Sequence, residues 1–244
     1  ADHYGDLDPV TPSESAVLRV LQKGLANMGE TPAGPTLDVG CSVGRTTFEL
    51  EGARDGLVLG VDLSFSMLRV AAHALRTGRA RYPRRRVGIV YDERDFEVDF
   101  QSAAQVDFWL CDAEWLPFHP GTFATINSLN VLDCLPTPHA HFQMIDHLLH
   151  PDGEALLGSP YDWSTGATAV EAWIGGHSQR GDHKGASEPL VRSLVGATEG
   201  RQGYTRLEIA WEDEEVPWGV RLHDRSRVEY QVHLMCLRHR KTNK

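Results

Sequence analysis

The sequence predicts an α/β fold: a three-layer sandwich on a mostly parallel sheet of about seven strands, closed by an antiparallel hairpin at its C-terminal edge. Three observations predict it. Short strand segments (Thr36–Val39, 57–61, Val106–Leu110, 122–128 and 155–158), of which 57–61 is continuously apolar as when both faces are buried, alternate with helix-length segments. Asp38, Asp62 and Asp112 end three successive strand segments, which places three acids along one edge of the sheet. The chain then closes with two longer strand segments, 204–211 and 228–237, with 216–220 between them and no helix.

Residues 1–12, with Pro9 and Pro12, read as an irregular arm. Ser13-Glu14-Ser15 can cap a helix whose apolar stripe is Val17, Leu18, Leu21 and Leu25. It stops near Gly29, and Pro32 and Pro35 mark a loop. The strand Thr36–Val39 feeds the loop 40–44 and a helical run over 45–51. After strand 57–61, Ser64 can cap a helix over 67–75. Residues 76–104 stand apart: Arg76, Arg79, Arg81, Arg84, Arg85 and Arg86 precede Asp92, Glu93, Asp95, Glu97 and Asp99. Opposite-charge blocks of this kind are expected to form a partly mobile, solvated loop with internal salt bridges, or else an anion-binding patch. Strands Val106–Leu110 and 122–128 follow, then 129–135 and a helix over 139–149 that stops at His150-Pro151-Asp152-Gly153. The fifth strand, 155–158, leads into an aperiodic insertion on the substrate side, 159–187, and Glu188–Val195 is helical. A single domain over 1–244 is expected, with an N-terminal arm and helix over 1–30.

Composition narrows the function. The chain has 244 residues, 41% hydrophobic and 24% charged, enough for a large core without staples. A net charge of −10 argues against nucleic-acid binding and implies weak repulsion from anionic surfaces. Cys41, Cys111, Cys134 and Cys236 are scattered, with no CxxC pair, so neither a zinc site nor a disulfide framework is indicated. No apolar run approaches membrane-spanning length and no signal peptide is evident, so a cytoplasmic setting without membrane partners is expected. A first residue other than Met reads as a trimmed or excised chain.

The chemistry concentrates at Asp38-Val39-Gly40-Cys41-Ser42-Val43-Gly44. A strand end, a glycine-containing loop and a helix start bring backbone N–H groups beside a ligand. The loop reads GxSxG rather than GxGxxG, with Ser42 in the middle, and leaves little room for a pyrophosphate. Asp38 suits a positive amino group. This favours S-adenosylmethionine (SAM), which carries an ammonium and a sulfonium and no phosphate, over NAD. Asp62, 18 residues beyond Gly44, can accept both ribose hydroxyls, or simply cap the next helix. Asp112 can accept from an adenine amino group, or cap a turn. Cys41, Arg45, Leu63, Met67 and Ala113 flank these positions and complete the expected cofactor set. Asn127 and Asn130, leaving strand four, can meet the methionine end of SAM or the acceptor, or serve packing and turns.

Other chemistry is weaker. Twelve histidines include no HExxH, and His139, His141, His147 and His150 read as solvated helix residues, so no metal is expected. The GxSxG letters follow the first strand without an oxyanion motif or an ordered His–Asp partner, unlike a hydrolase elbow. Tyr161, Trp163 and Trp173, with His177, can box a flat or cationic acceptor, or form a small satellite core.

From about Thr36 to its end the chain resembles class I SAM-dependent methyltransferases, with their Rossmann-like sheet. More narrowly it resembles the methyltransferase module of ovothiol biosynthesis. The resemblance lies in His3-Tyr4-Gly5, residues 37–50, Gly60-Val61-Asp62, Arg81-Tyr82, residues 130–135, Ser159-Pro160-Tyr161-Asp162-Trp163 and Trp173-Ile174-Gly175-Gly176. It covers nearly the whole chain, Ser-Pro-Tyr-x-Trp and Trp-x-Gly-Gly being its specific part; the stretch 84–99 has no counterpart, and the sulfoxide synthase often fused to that module lies outside the chain. The resemblance implies SAM as cofactor, S-adenosylhomocysteine as product, and a small acceptor, the imidazole nitrogen of a thiolated histidine. It also implies an arm at His3-Tyr4 that closes over the site, and work with a sulfoxide synthase. Asn130, Asp133, Tyr161 and Asp162 are expected to orient the acceptor ring, with Tyr4, Trp163, Trp173 and His177 beside it. Alternative readings are another amine, thiol or aromatic acceptor, an NAD-dependent oxidoreductase, and a non-catalytic partner on the same fold.

Overall fold

A computed structural model describes residues 2–54, 56–100, 105–196 and 204–241. Helix α1 (Ala16–Leu25) buries Val17, Leu18 and Leu21 of the expected stripe, leaves Leu25 partly buried, and buries Val20 in addition. Strand β1 (Thr36–Val39) is buried throughout and is followed by α2 (Arg45–Ala53), β2 (Val58–Asp62) and α3 (Phe65–Thr77). Neither Ser15 nor Ser64 makes the side-chain cap hydrogen bond expected of it; Ser15 Oγ reaches the His3 carbonyl instead, at 3.4 Å.

Residues 79–97 correct the expectation of a mobile loop. They form an antiparallel hairpin of β3 (Arg79–Val87) and β4 (Val90–Glu97). The cause is a period-two pattern hidden under the charges. Ala80, Tyr82 and Phe96 turn inward onto Tyr4 and Phe48. Arg79 and Arg81 lie outside and meet Asp95 at 2.8 Å and Glu93 at 2.6 Å. Exposed pairs contribute little each; the buried aromatic face holds the hairpin. Residues 101–104 of that segment lie outside the described ones.

The order continues with β5 (Val106–Leu110), β6 (Phe123–Leu129), α4 (Pro138–Leu148), β7 (Leu149–Ser159), α5 (Glu188–Val195), β8 (Leu207–His223) and β9 (Ser226–His239). The seven-stranded sheet has the order β5-β2-β1-β6-β7-β9-β8. Every neighbouring pair is parallel up to β7, while β9 is antiparallel to β7 and to β8. Two boundaries differ from the expectation. Strand β7 begins at Leu149 rather than after a turn at 150–153, and residues 216–220 are part of β8, which runs unbroken through register shifts at Ile209/Trp211 and Asp213/Val216. Hydrogen bonding to β9 along its length carries β8 across those irregularities.

His141 also departs from its expected solvated place. It is fully buried, with Nε2 2.9 Å from Ser128 Oγ, and burial lowers its pKa to about 4. The folded state therefore holds a neutral ring while the unfolded chain protonates below its ordinary pKa. Stability is unaffected well above pH 6.5, falls as the pH drops below it, and levels off below about 4. At pH 5 the loss is about 2 kcal/mol, or a melting shift of about 4–8 °C for a domain of this size. Melting curves of the wild type and His141→Asn between pH 7 and pH 5 check this: the variant's curve should be flatter, and equal slopes would remove His141 as the cause.

Candidate active site

The strand order reverses direction between β1 and β6, and the ends of those strands open into a cavity of about 310 Å³. Such switch points are where open α/β sheets receive ligands. Asp38, Gly40, Cys41 and Ser42 form one wall, and Asn127, Leu129 and Asn130 another.

Register builds the floor. Asp38 of β1 stands opposite Asn127 of β6, and Asn127 Nδ2 donates to Asp38 Oδ1 at 2.6 Å. The Thr46 and Thr47 hydroxyls, from the first turn of α2, both donate to Asp38 Oδ2 at 2.7 Å. Burial raises the Asp38 pKa against these three hydrogen bonds. With its amide nitrogen committed to Asp38, Asn127 keeps Oδ1 buried and without a partner among the described residues, and Asn130 Oδ1 is in the same condition. Two buried acceptors without donors are costly unless a ligand or water supplies them. They fit a group that brings N–H donors, such as an ammonium. Asp38 thus does more than line the cavity: it takes the Asn127 amide nitrogen and leaves Oδ1 as the uncommitted atom.

The loop is held open by its backbone. Gly40 has φ +70° and Asn130 φ +56°, and Ser42 adopts φ +52° without being glycine. Non-glycine residues in this region carry strain and gather at functional sites. Asp62 braces the loop: its Oδ2 accepts Ser42 N–H at 2.8 Å and its Oδ1 accepts Ser64 N–H at 2.7 Å. Each oxygen keeps a lone pair for a further donor. Asp112 Oδ1 accepts Glu114 N–H at 2.9 Å, the turn-capping role. Leu63 and Met67 lie exposed beside Asp62, and Ala113 is half-buried against the core. Burial, with the neighbouring Asp38 and Asp62 charges, pushes the Cys41 thiol far above its ordinary range, so it is a neutral wall group.

Several expected residues lie elsewhere. Arg45 does not line the cavity. Its guanidinium meets Asp6 at 2.9 Å and Glu49 at 3.3 Å and lies over the Phe100 ring, so it ties down the arm. Gly44 starts α2 with φ +82°. Tyr4 is buried; its hydroxyl donates to Val43 O at 2.7 Å and its ring stacks on Tyr82. It anchors the arm, while His3 beside it reaches the cavity. Burial lowers the His3 pKa to about 4, and His3 Nδ1 is a further buried atom without a partner.

Tyr161, Trp163 and Trp173 stack in a row with centroids 6.3 Å apart at each step. Their polar groups are taken internally. Tyr161 Oη is 2.7 Å from His233 Nδ1, Trp163 Nε1 donates to Ser187 Oγ, and Trp173 Nε1 donates to Thr168 O. None of the three lines the cavity. Tyr161 does hold φ +55° at the end of β7, whose Gly158 carbonyl accepts Asn130 N–H at 2.8 Å. Asp133 is buried, accepts Asp162 N–H at 2.7 Å, and has its pKa raised by burial. Asp162 is exposed and accepts the Tyr230 hydroxyl at 3.1 Å. His177 is exposed, with Nδ1 3.0 Å from Gly175 O.

Sequence reasoning missed the wall facing the loop: Ala16 and Val17 of α1, and Trp218, Gly219 and Val220 of β8. The one available signal was a glycine inside a strand, which marks close approach. A Cβ at Gly219 would lie 1.9 Å from the Arg227 guanidinium.

The strand order and the antiparallel last strand define the class: this is the Rossmann-like methyltransferase fold, not the dinucleotide fold with a parallel last strand. Residues 37–157, just under half of the chain, match the methyltransferase domain family. Solved structures that resemble the chain include Haemonchus contortus phosphoethanolamine N-methyltransferase 2 in complex with S-adenosyl-L-methionine (20% identity, 65% of this chain, 31% of that one, TM-score 0.47). They also include geranyl diphosphate C-methyltransferase from Streptomyces coelicolor A3(2) (14% identity, 65% of this chain, 51% of that one, TM-score 0.47) and the cyclase SpnF (17% identity, 61% of this chain, 46% of that one, TM-score 0.47). The chain spans about half the length of these structures, or less. No curated protein matches it.

Proposed function

We propose that the chain is a SAM-dependent methyltransferase acting on a small acceptor, with S-adenosylhomocysteine as product. One observation carries the reading: Asn127 and Asn130, which line the switch-point cavity beside Asp38, each keep a buried oxygen without a partner among the described residues. An ammonium satisfies those oxygens; a pyrophosphate, being an acceptor itself, does not. Asp38, Asn127 and Asn130 would hold the amino-acid end of SAM, Asp62 the ribose hydroxyls, and Asp112, Ala113, Leu63 and Met67 the adenine. SAM, when bound, supplies a sulfonium-activated methyl group. The protein's task is alignment and exclusion of water, for which Leu129, Val17, Trp218 and Val220 offer an apolar wall. Such positioning can be worth roughly 7–11 kcal/mol.

The finer proposal is that the acceptor is an imidazole nitrogen of a thiolated histidine, made by a sulfoxide synthase, fused or separate, in a cytoplasmic setting. It rests on the resemblance at residues 159–163 and 173–176. A neutral imidazole nitrogen already presents a lone pair, so a strong base is optional. Asn130, Asp133, Tyr161 and Asp162 are the groups proposed to orient the ring. The whole of 1–244 would act as one domain.

Titration calorimetry with SAM, S-adenosylhomocysteine and NAD tests the cofactor: heat with the first two and none with NAD is expected. A folded sample that binds neither SAM compound would end the proposal, and NAD binding alone would favour an oxidoreductase. Mass spectrometry of products from thiolated histidine, histidine and other imidazoles tests the acceptor. Methylation of amines or thiols only would reject the imidazole and keep the methyltransferase.

A further inference from the structure

The β3–β4 turn and the β8–β9 turn lie side by side and form one tip. Asp224 N–H donates to the Arg86 carbonyl at 2.9 Å, and Arg221 donates to the Arg85 carbonyl at 2.5 Å. Apolar side chains stand out from this tip. Ile89 is 93% exposed, and Val87, Val90, Tyr91 and Leu222 are each about half exposed. Around them the charge is reversed from that of the protein. The net charge of the chain is −10, yet residues 84–92 and 221–229 hold six arginines against three carboxylates. Asp224 is shared by Arg84 at 2.8 Å and Arg221 at 2.7 Å, with Arg86 at 3.7 Å. Arg85 and Arg225 are exposed and make no ion pair among the described residues; Arg85 Nε instead holds the Gly88 carbonyl.

We propose that this double-hairpin tip docks on an anionic lipid surface, with Ile89 and its neighbours entering the interface and the surrounding arginines meeting the headgroup phosphates. The chemistry favours lipid over a soluble acidic partner because of its layout. A protruding apolar point ringed by cations matches an interface that is apolar inside and anionic at its face. Nothing in the fold needs Ile89 where it stands: it is a side chain in water on an open turn, where a Cβ added at the neighbouring Gly88 would meet nothing within 4 Å. The tip belongs to the strand that walls the cavity, since Val220 lines it and Leu222 is two residues on, roughly 7 Å along a strand. Docking would set the cavity mouth near the surface. The inference does not depend on the reaction.

Sedimentation of the full chain with vesicles tests it. Phosphatidylcholine vesicles containing about one third phosphatidylserine should carry the protein down, phosphatidylcholine alone should not, and added salt should release it. Ile89→Asp, and separately Arg85→Glu with Arg225→Glu, should each lower the bound fraction about tenfold or more while circular-dichroism melting stays unchanged. Val90→Asp stands in if Ile89→Asp misfolds. No binding of the folded protein to the phosphatidylserine vesicles, equal binding to both, or binding unmoved by the variants would overturn the proposal. Binding to polyglutamate without vesicle binding would overturn it too and point to an acidic protein.

Discussion

Replacing Asp62 with alanine is expected to weaken binding of S-adenosylhomocysteine by about 1.5–3 kcal/mol, roughly 10- to 150-fold, the range for losing hydrogen bonds to a charged acceptor. The structure adds a second effect. The same carboxylate accepts the amides of Ser42 and Ser64, so the variant also releases the strained loop. A stability loss of about 1–2 kcal/mol should accompany the weaker binding. Asp62→Asn separates the two, because its one remaining oxygen can still accept from a backbone amide while the charge is gone. Calorimetry and melting curves on both variants check this. Unchanged affinity in a folded Asp62→Ala protein would remove Asp62 from the binding site and leave it a brace.

Gly40→Ala should be strongly destabilising. At φ +70° an L side chain costs about 1–2 kcal/mol. The new Cβ would also lie 2.4 Å from Val131 Cγ2, a stiff β-branched side chain buried in the main core. Overpacking of that kind adds about 1–3 kcal/mol. The sum, about 2–5 kcal/mol, predicts a melting point lower by about 4–20 °C. Since Gly40 lines the cavity, affinity for SAM should fall as well. A variant that melts like the wild type would show that the loop yields more easily than its contacts imply.

The parallel strands were legible because they are short and mainly apolar and alternate with helix-length segments, and the acids at their ends mark one edge. Asp38 and Asn127 were both legible as candidates. Their 2.6 Å hydrogen bond was not, since it depends on the register between β1 and β6, strands almost ninety positions apart. The partners of Arg45 were not legible either. It stands in the right motif, but Asp6 and Glu49 reach it first. The aromatic residues at 161, 163 and 173 were legible either as an acceptor box or as a satellite core. They stack on one another with their polar atoms taken internally, and Trp218 lines the cavity.

The β3–β4 hairpin shows how charge can mask a strand. Arg79 and Arg81 alternate with Ala80 and Tyr82, and that alternation gains meaning only when Tyr4 and Phe48 are there to cover the inner face. Local pattern alone therefore determined the layers, the alternating strands and the acidic edge, because burial on both faces leaves its mark within a few consecutive residues. Only the tertiary structure decided which atoms face the cavity. Hydrogen-bond partners such as Thr46 and Thr47 on Asp38, and walls such as Trp218 opposite Gly40, come from segments far apart in the chain. Their meeting depends on register and close packing, which no short window of sequence contains.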